Sequence, residues 1–199
     1  MRKGSLFVVS APAGCGKDTI LNELFKRTDK AGYAVSATTR APREGEVNGV
    51  HYHFLTREEF ERKIAKKEVL EYTEYCGNYY GTLSKSVNDL LEQGKDAVLK
   101  IEVEGAMNIK KAFPKACLVF ILPPSWEALE KRLRDRGTET EDKIVERTNQ
   151  ARREVEFAAN YDYLIVNDDL SEAVDDLLAV FRAERLRRVR NDELLKRFK

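Results

Sequence analysis

The chain has 199 residues, which suits one domain of ordinary size or one core with inserted subdomains, and 42% apolar against 35% charged residues allow a real core under a well-solvated surface. A formal net charge of +1 removes any bulk electrostatic case for nucleic acid or an anionic membrane. Three scattered cysteines (Cys15, Cys76, Cys117) argue against a disulfide framework or a zinc site, and no apolar run approaches the ~20 residues that span a bilayer.

In chain order, "SLFVVS" (5–10) is a short apolar run expected of a strand buried on both faces, and the start "MRKGSLFVVSAPAG" reads as that strand pattern, not as a signal peptide. A glycine-containing loop follows, then a helix with Ile20, Leu21, Leu24 and Phe25 at helical spacing. "YAVSATT" (33–39) reads as a second strand. A polar, turn-rich stretch leads into alternating "HYHFLT", and Thr56 with Glu59 makes a capping box ahead of a helix over about Arg57 to Lys67. "EVLEYTEYCGNYYGT" reads as strand, glycine turn and strand.

A helix from about Lys85 to Gln93 then ends on Gly94. Strand 97–103, a helix from about Ala106 to Ala112 and strand 116–122 follow. Ser125 is the expected N-cap of "WEALEKRLRDRG", with Gly137 as its stop. A charged helix over roughly Glu141 to Asn160, strand 163–166 and a final helix from Ser171 complete the chain. Strands alternating with helices predict a parallel sheet covered on both faces, interrupted by a β-rich segment over residues 36–85.

The loop "SAPAGCGKDTI" nearly spells the phosphate-binding pattern G-x-x-x-x-G-K-[ST], after a buried strand and opening a helix as that motif requires. Backbone N–H groups around Ala13, Gly14, Cys15 and Gly16, with the positive end of the helix dipole, suit a phosphate chain. Lys17 adds a mobile cation and Thr19 a hydroxyl. Two departures stand out. Ala11 replaces the first glycine, harmless if its φ is negative. Asp18 replaces the hydroxyl that normally touches Mg²⁺, and a carboxylate there either ligates the ion or repels the triphosphate.

"SATTRAPREGEVNGVHYHF", "EYCGNYYGT", "RGTETEDKIVER" and "IVNDDL" together resemble the guanylate kinase family, collinearly from about Gly4 to Phe181. The resemblance implies a P-loop kinase fold of class α/β, a parallel sheet core flanked by helices, carrying an inserted GMP-binding subdomain and a helical lid. The expected division is a single domain over 1–199, with core segments 1–35, 86–124 and 161–199, the insertion at 36–85 and the lid at 125–160. The implied reaction is ATP-dependent phosphorylation of GMP, and of dGMP, with ATP and Mg²⁺ as cofactors, in a cytoplasmic monomer or homodimer.

The residue types agree with that chemistry. Arg40 and Arg43 supply forked donors for phosphate, and Tyr52 and Tyr80 supply hydroxyls. Glu71 is an acceptor for guanine N1–H and N2–H, which adenine does not offer. Ser36 and Thr82 suit the O6 edge, and by resemblance Glu102 is an acid that also meets the base. The resemblance makes Arg136 and Arg147, supported by Arg132, lid arginines over the ATP phosphates, and puts Asn167 near adenine. The expected catalytic set is Lys17, Arg43, Arg136 and Arg147.

One further departure bears on the metal: Lys100 stands where the family shows the first acid of an acid-x-acid pair on "LKIEVEG". Either Asp18 takes over as a Mg²⁺ ligand, or Asp18 pairs with Lys100 and phosphates and water hold the ion. A second class of function competes with the enzyme, a guanylate-kinase-like binding module that holds a phosphorylated ligand in the GMP site. His51 and His53 alternate on a strand without further ligands in view, Cys15 is read as a small loop residue, and the basic tail "RAERLRRVRNDELLKRFK" as a solvated terminal helix.

Overall fold

A computed structural model describes residues 4–135, 137 and 140–198. In chain order its elements are β1 (Leu6–Ser10), α1 (Lys17–Arg27), β2 (Ala31–Tyr33), β3 (Ser36–Thr38), β4 (His53–Phe54), α2 (Arg57–Ala65), β5 (Val69–Tyr75), β6 (Asn78–Leu83) and α3 (Ser84–Glu92). They continue with β7 (Asp96–Lys100), α4 (Val103–Ala112), β8 (Cys117–Leu122), α5 (Trp126–Asp135), α6 (Glu141–Glu156), β9 (Tyr163–Val166), α7 (Leu170–Leu186) and α8 (Asp192–Leu195). The class is α/β, a parallel sheet core flanked by helices. The chain divides into two compact units, Met1–Ser10 with Thr28–Val119, and Ala11–Arg27 with Phe120–Lys199.

In the first unit β2, β7 and β1 lie side by side and parallel, with Tyr33 opposite Val98 and Val9 opposite Lys100. Phe7, Val8, Val9, Ala97, Val98 and Leu99 are buried, which is why these strands are continuous apolar runs instead of alternating ones. The strand expected over 33–39 is two strands in two sheets. Ala34 N–H still donates to Val98 O at 3.0 Å, and by Ser36 the chain is in register with Thr82 of a second sheet. A change of partner, not a turn residue, ends the first strand.

That second sheet, in the order β4-β3-β6-β5, uses residues of the β-rich segment only. Its hairpin turns on Cys76 and Gly77, both at positive φ (49° and 72°), the two-residue geometry whose twist matches the flanking strands. One face packs on α2: Phe60 is fully buried against Ala37 and Leu83, and stacks on Tyr79 at 5.2 Å between centroids. The opposite face is polar. Helix α2 starts as expected, with Glu59 N–H donating to Thr56 Oγ1 at 3.1 Å and Thr56 N–H to Glu59 Oε2 at 2.8 Å.

Helix α3 ends in a Schellman pair, Gly94 N–H to Leu91 O and Lys95 N–H to Leu90 O. Strand β7 stops at Lys100, short of the expected Val103. Ser10 Oγ–H takes the Ile101 carbonyl at 2.9 Å, and the chain turns into α4 from a cap at Glu102.

In the second unit, Ile20, Leu21 and Leu24 of α1 and Val174, Leu177 and Phe181 of α7 are buried, and Arg27 Nη1 pairs with Asp175 Oδ1 at 3.1 Å. Ser125 caps α5 by accepting Ala128 N–H at 3.1 Å, and Gly137 sits at φ 65° beyond its end. Helix α6 gives way to a 3₁₀ turn at Phe157–Asn160, earlier than the expected helix end. The tail is not one continuous helix. After α7 it folds back so that Arg187 and Arg190 reach the fully buried Glu184 at 3.2 and 2.7 Å, while Tyr163 O–H donates to the same carboxylate at 3.0 Å.

Phe60 and Thr56 test the second sheet's footing. Phe60→Ala is expected to cost about 3–5 kcal/mol, and Thr56→Ala about 1 kcal/mol, in urea unfolding. A Phe60→Ala protein within 1 kcal/mol of the parent by the same measurement contradicts the packing described.

Candidate active site

The polar face of the second sheet is set by register. Ser36 lies opposite Thr82, and Thr82 opposite Glu71, so the three stand in one row across β3, β6 and β5. Glu71 reaches that row only because of a β-bulge: Val69 pairs with Leu83 and Glu71 with Thr82, two steps on β5 against one on β6. Without the extra residue the period of two would turn Glu71 to the Phe60 side. Tyr80, two residues from Thr82, shares the face.

Glu71 is 6% exposed, and Thr82 Oγ1–H donates to its Oε1 at 2.7 Å. Burial pushes its carboxyl up, and the hydrogen bonds from Thr82 partly offset this. Helix α4 closes over it at Gly105, where a Cβ would stand 2.8 Å from Glu71 Oε2. Glycine is required there so that the carboxylate keeps its place. Ser36 is buried as well, and Glu102, at the cap of α4, is exposed and caps no backbone group with its side chain.

Beside this row lies a cationic and aromatic cluster. The Arg40 guanidinium stands 5.5 Å from the Tyr52 ring centroid and 5.7 Å from that of Phe54, and the Tyr52 and Tyr80 rings meet edge-on at 6.1 Å. Glu46, which sequence reasoning missed, grips Arg40 fork to fork, with Nη1 to Oε2 at 2.8 Å and Nη2 to Oε1 at 2.9 Å. Arg43 N–H donates to the same Oε2 at 2.7 Å. These bonds from Arg40 and Arg43 hold the Glu46 carboxyl well down, at about 2, and the pairing raises Arg40 further. The Arg43 side chain is exposed, and burial raises the Tyr52 phenol.

The phosphate-type loop belongs to the other unit. Ala11 is not among the described non-glycine residues at positive φ (Lys67 and Cys76), so the lost glycine brings no backbone strain. Gly14 and Gly16 are at φ 91° and 82°, and a Cβ on Gly16 would collide with the Asn167 amide. Asn167 is 7% exposed, and its Nδ2–H donates to Cys15 O at 2.8 Å. Arg132 Nη2–H donates to Asn167 O at 2.9 Å, so α5 braces the loop through β9's end. Arg132 Nη1 is buried and has no hydrogen-bond partner among the described residues.

Lys17 opens α1 half-buried. Ala13, Asp18 and Thr19 are exposed, Cys15 is fully buried, and Arg147 is exposed on α6. Arg136 lies outside the described residues. The histidines serve local structure: His51 Nδ1 accepts Val47 N–H at 3.0 Å, and His53 Nε2 is 3.4 Å from Ser86 Oγ.

The family model described as guanylate kinase matches residues 3–184. The chain is 51% identical to a guanylate kinase of Carboxydothermus hydrogenoformans over 187 residues, covering 94% of this chain and 92% of the relative. It is 47% identical to the guanylate kinase of Bacillus subtilis over 189 residues, covering 94% and 93%. The crystal structure of guanylate kinase from Anaplasma phagocytophilum superposes with a TM-score of 0.76 at 33% identity, covering 96% of this chain and 90% of that one.

The Glu71–Thr82 contact is open to direct measurement. Thr82→Val removes a hydrogen bond that favours the ionised carboxylate, so the Glu71 carboxyl should titrate higher still by carbon NMR. A raised folded-state value also means that the folded protein binds the proton more readily than the unfolded chain. Glu71's contribution to stability is therefore present at low pH and lost as pH rises through its folded value. Glu71→Gln should flatten that part of the stability profile, and an unchanged profile would contradict it.

Proposed function

The chain belongs to the guanylate kinase family, and from that premise we propose that its loop 10–20 takes ATP and the polar face of its second sheet takes GMP. Its activity is the ATP-dependent phosphorylation of GMP. The binding-module reading is not favoured, because nearly full-length relatives carry the enzyme's name.

The observation that carries the acceptor assignment is the buried Glu71. A carboxylate kept from water is costly unless donors face it. Guanine offers N1–H and N2–H together, whereas adenine turns an acceptor, N1, toward the same oxygens. A site built to accept hydrogen bonds rejects a ligand lacking the donors by about 10⁴–10⁵-fold. Ser36 and Thr82, in the same row, suit the O6 edge. Arg40, Arg43, Tyr52 and Tyr80 suit the phosphate, with Glu46 holding Arg40 in place, and Glu102 stands at the mouth of α4 for the base.

On the donor side, the main-chain amides of Ala13 to Gly16, Lys17 and Thr19 suit the triphosphate. Asn167 serves the loop through the Cys15 carbonyl, beside its assignment near adenine. The partnerless Arg132 Nη1 supports an anion nearby, and Arg147 and Arg136 supply further positive charge. Phosphoryl transfer asks mainly for positioning and for charge stabilisation, and Lys17, Arg43, Arg136 and Arg147 are the residues proposed for it. No base is needed, since the GMP phosphate is itself the nucleophile.

Among the described residues no group of three or more His, Cys, Asp or Glu can hold a metal ion. Mg²⁺ carried in with a nucleotide keeps several waters and takes one or two carboxylates plus phosphate oxygens. Asp18, exposed in the first turn of α1, is the carboxylate of the loop and would hold it. When bound, the ion neutralises charge on the β- and γ-phosphates.

Among the described residues no helix is long and apolar enough to cross a membrane. The exposed free thiol of Cys76 suits a reducing compartment, which supports a cytoplasmic location. Each chain carries both sets of residues, so a monomer suffices, and a homodimer would hold two complete sets.

A coupled ADP-release assay tests the reading. GMP and dGMP should support turnover, and AMP or no acceptor should not. Lys17→Met should lower kcat by about 10²-fold or more. Asp18→Asn should raise the Mg²⁺ concentration for half-maximal rate several-fold. A protein that binds GMP in calorimetry but releases no ADP would instead be a binding module.

A further inference from the structure

The end of β7 carries a cation that the reaction set out above leaves unused. Lys100 is the last residue of the strand and half-buried. Tyr33 lies opposite Val98, and Lys100 is two residues further along β7, so Tyr33 and Lys100 share a sheet face. Lys100 Nζ stands 5.5 Å from the Tyr33 ring centroid.

This pair adjoins the phosphate cluster of the same unit. Tyr33, Lys100, Tyr80 and Arg40 all act electrostatically on the Tyr52 hydroxyl, so one phenol feels both cations. The Tyr52 ring is 6.1 Å from that of Tyr80 and 5.5 Å from the Arg40 guanidinium carbon. Lys100, Tyr33, Tyr52, Tyr80 and Arg40 thus form one run of neighbours from the edge of the core sheet to the face of the second.

Charge gives the run a purpose. Arg40 enters the site with its guanidinium matched by Glu46, which stays ionised. A phosphate monoester brings close to two negative charges at neutral pH. With Arg40 matched by Glu46, Arg43 supplies one positive charge to that phosphate, and a second cation would complete the balance. An ammonium on a flexible four-carbon stem is a mobile point charge, suited to phosphate oxygens whose positions shift during transfer.

We propose that Lys100, held beside Tyr33, is a further ligand of the acceptor's phosphate. The proposal rests on the reading of this face as the GMP site. It makes Lys100 a determinant of acceptor affinity, in contrast to a role in metal handling.

Calorimetry without ATP or metal tests it, using GMP and its neutral nucleoside guanosine on the full chain and on Lys100→Met and Lys100→Arg. Lys100→Met should weaken GMP about tenfold or more and leave guanosine unchanged, with Lys100→Arg recovering part of the loss. In steady state the KM for GMP should rise while that for ATP holds. Equal losses for GMP and guanosine, or an unchanged GMP affinity with a shifted Mg²⁺ requirement, would overturn the proposal. A parent protein that binds neither GMP nor guanosine removes the acceptor-site reading itself, and this proposal with it.

Discussion

A carboxylate shut away from water must be supplied with donors, and the polar face of the second sheet is arranged around that demand at Glu71. Thr82 supplies one donor from the neighbouring strand. Gly105 lets the backbone of α4 close in without a methyl group striking the other oxygen. Ser36 extends the row by one strand, and the opposite face of the sheet anchors all three through Phe60. The apolar face provides the packing, and the polar face carries Ser36, Thr82 and Glu71.

The phosphate loop meets a different constraint. Its Pro12 carbonyl accepts from Cys15 N–H within the loop, and the next carbonyl that is paired is satisfied from outside. Asn167 does this for Cys15, and Arg132 in turn holds the Asn167 carbonyl. The loop's shape is therefore set by β9 and α5 as much as by its own glycines. Loss of the first glycine to Ala11 is tolerated because the left-handed conformations fall at Gly14 and Gly16.

Signals that act within four residues were legible in the sequence. The Thr56–Glu59 box, the Ser125 cap and the stops at Gly94 and Gly137 are each written in adjacent residues and each formed. What depended on a distant partner was not. "YAVSATT" is uniformly β-prone, and nothing in it marks where Val98 is exchanged for Thr82 as the neighbour. "KIEV" alternates like a strand, yet Ser10 takes the Ile101 carbonyl and a helix begins. The bulge before Glu71 leaves no trace in "VLEY". Glu46 read as one charge among several in "REGE", because its grip on Arg40 closes a loop across six positions. The types of residue in the candidate site could be read directly, whereas their convergence came from register. Arg187 and Arg190 looked solvated in a basic tail and instead neutralise the interior Glu184.

The exchange of partners after Tyr33 has a mechanical side. Ala34 is still tied to the core ladder when Ser36 is already tied to the other, and Val35 alone lies between. A joint one residue long has almost no slack. A pull on β3 therefore loads β7 almost directly, near its Lys100 tip. A displacement of one sheet is in this way passed to the other by backbone tension, with no side chain needed to carry it.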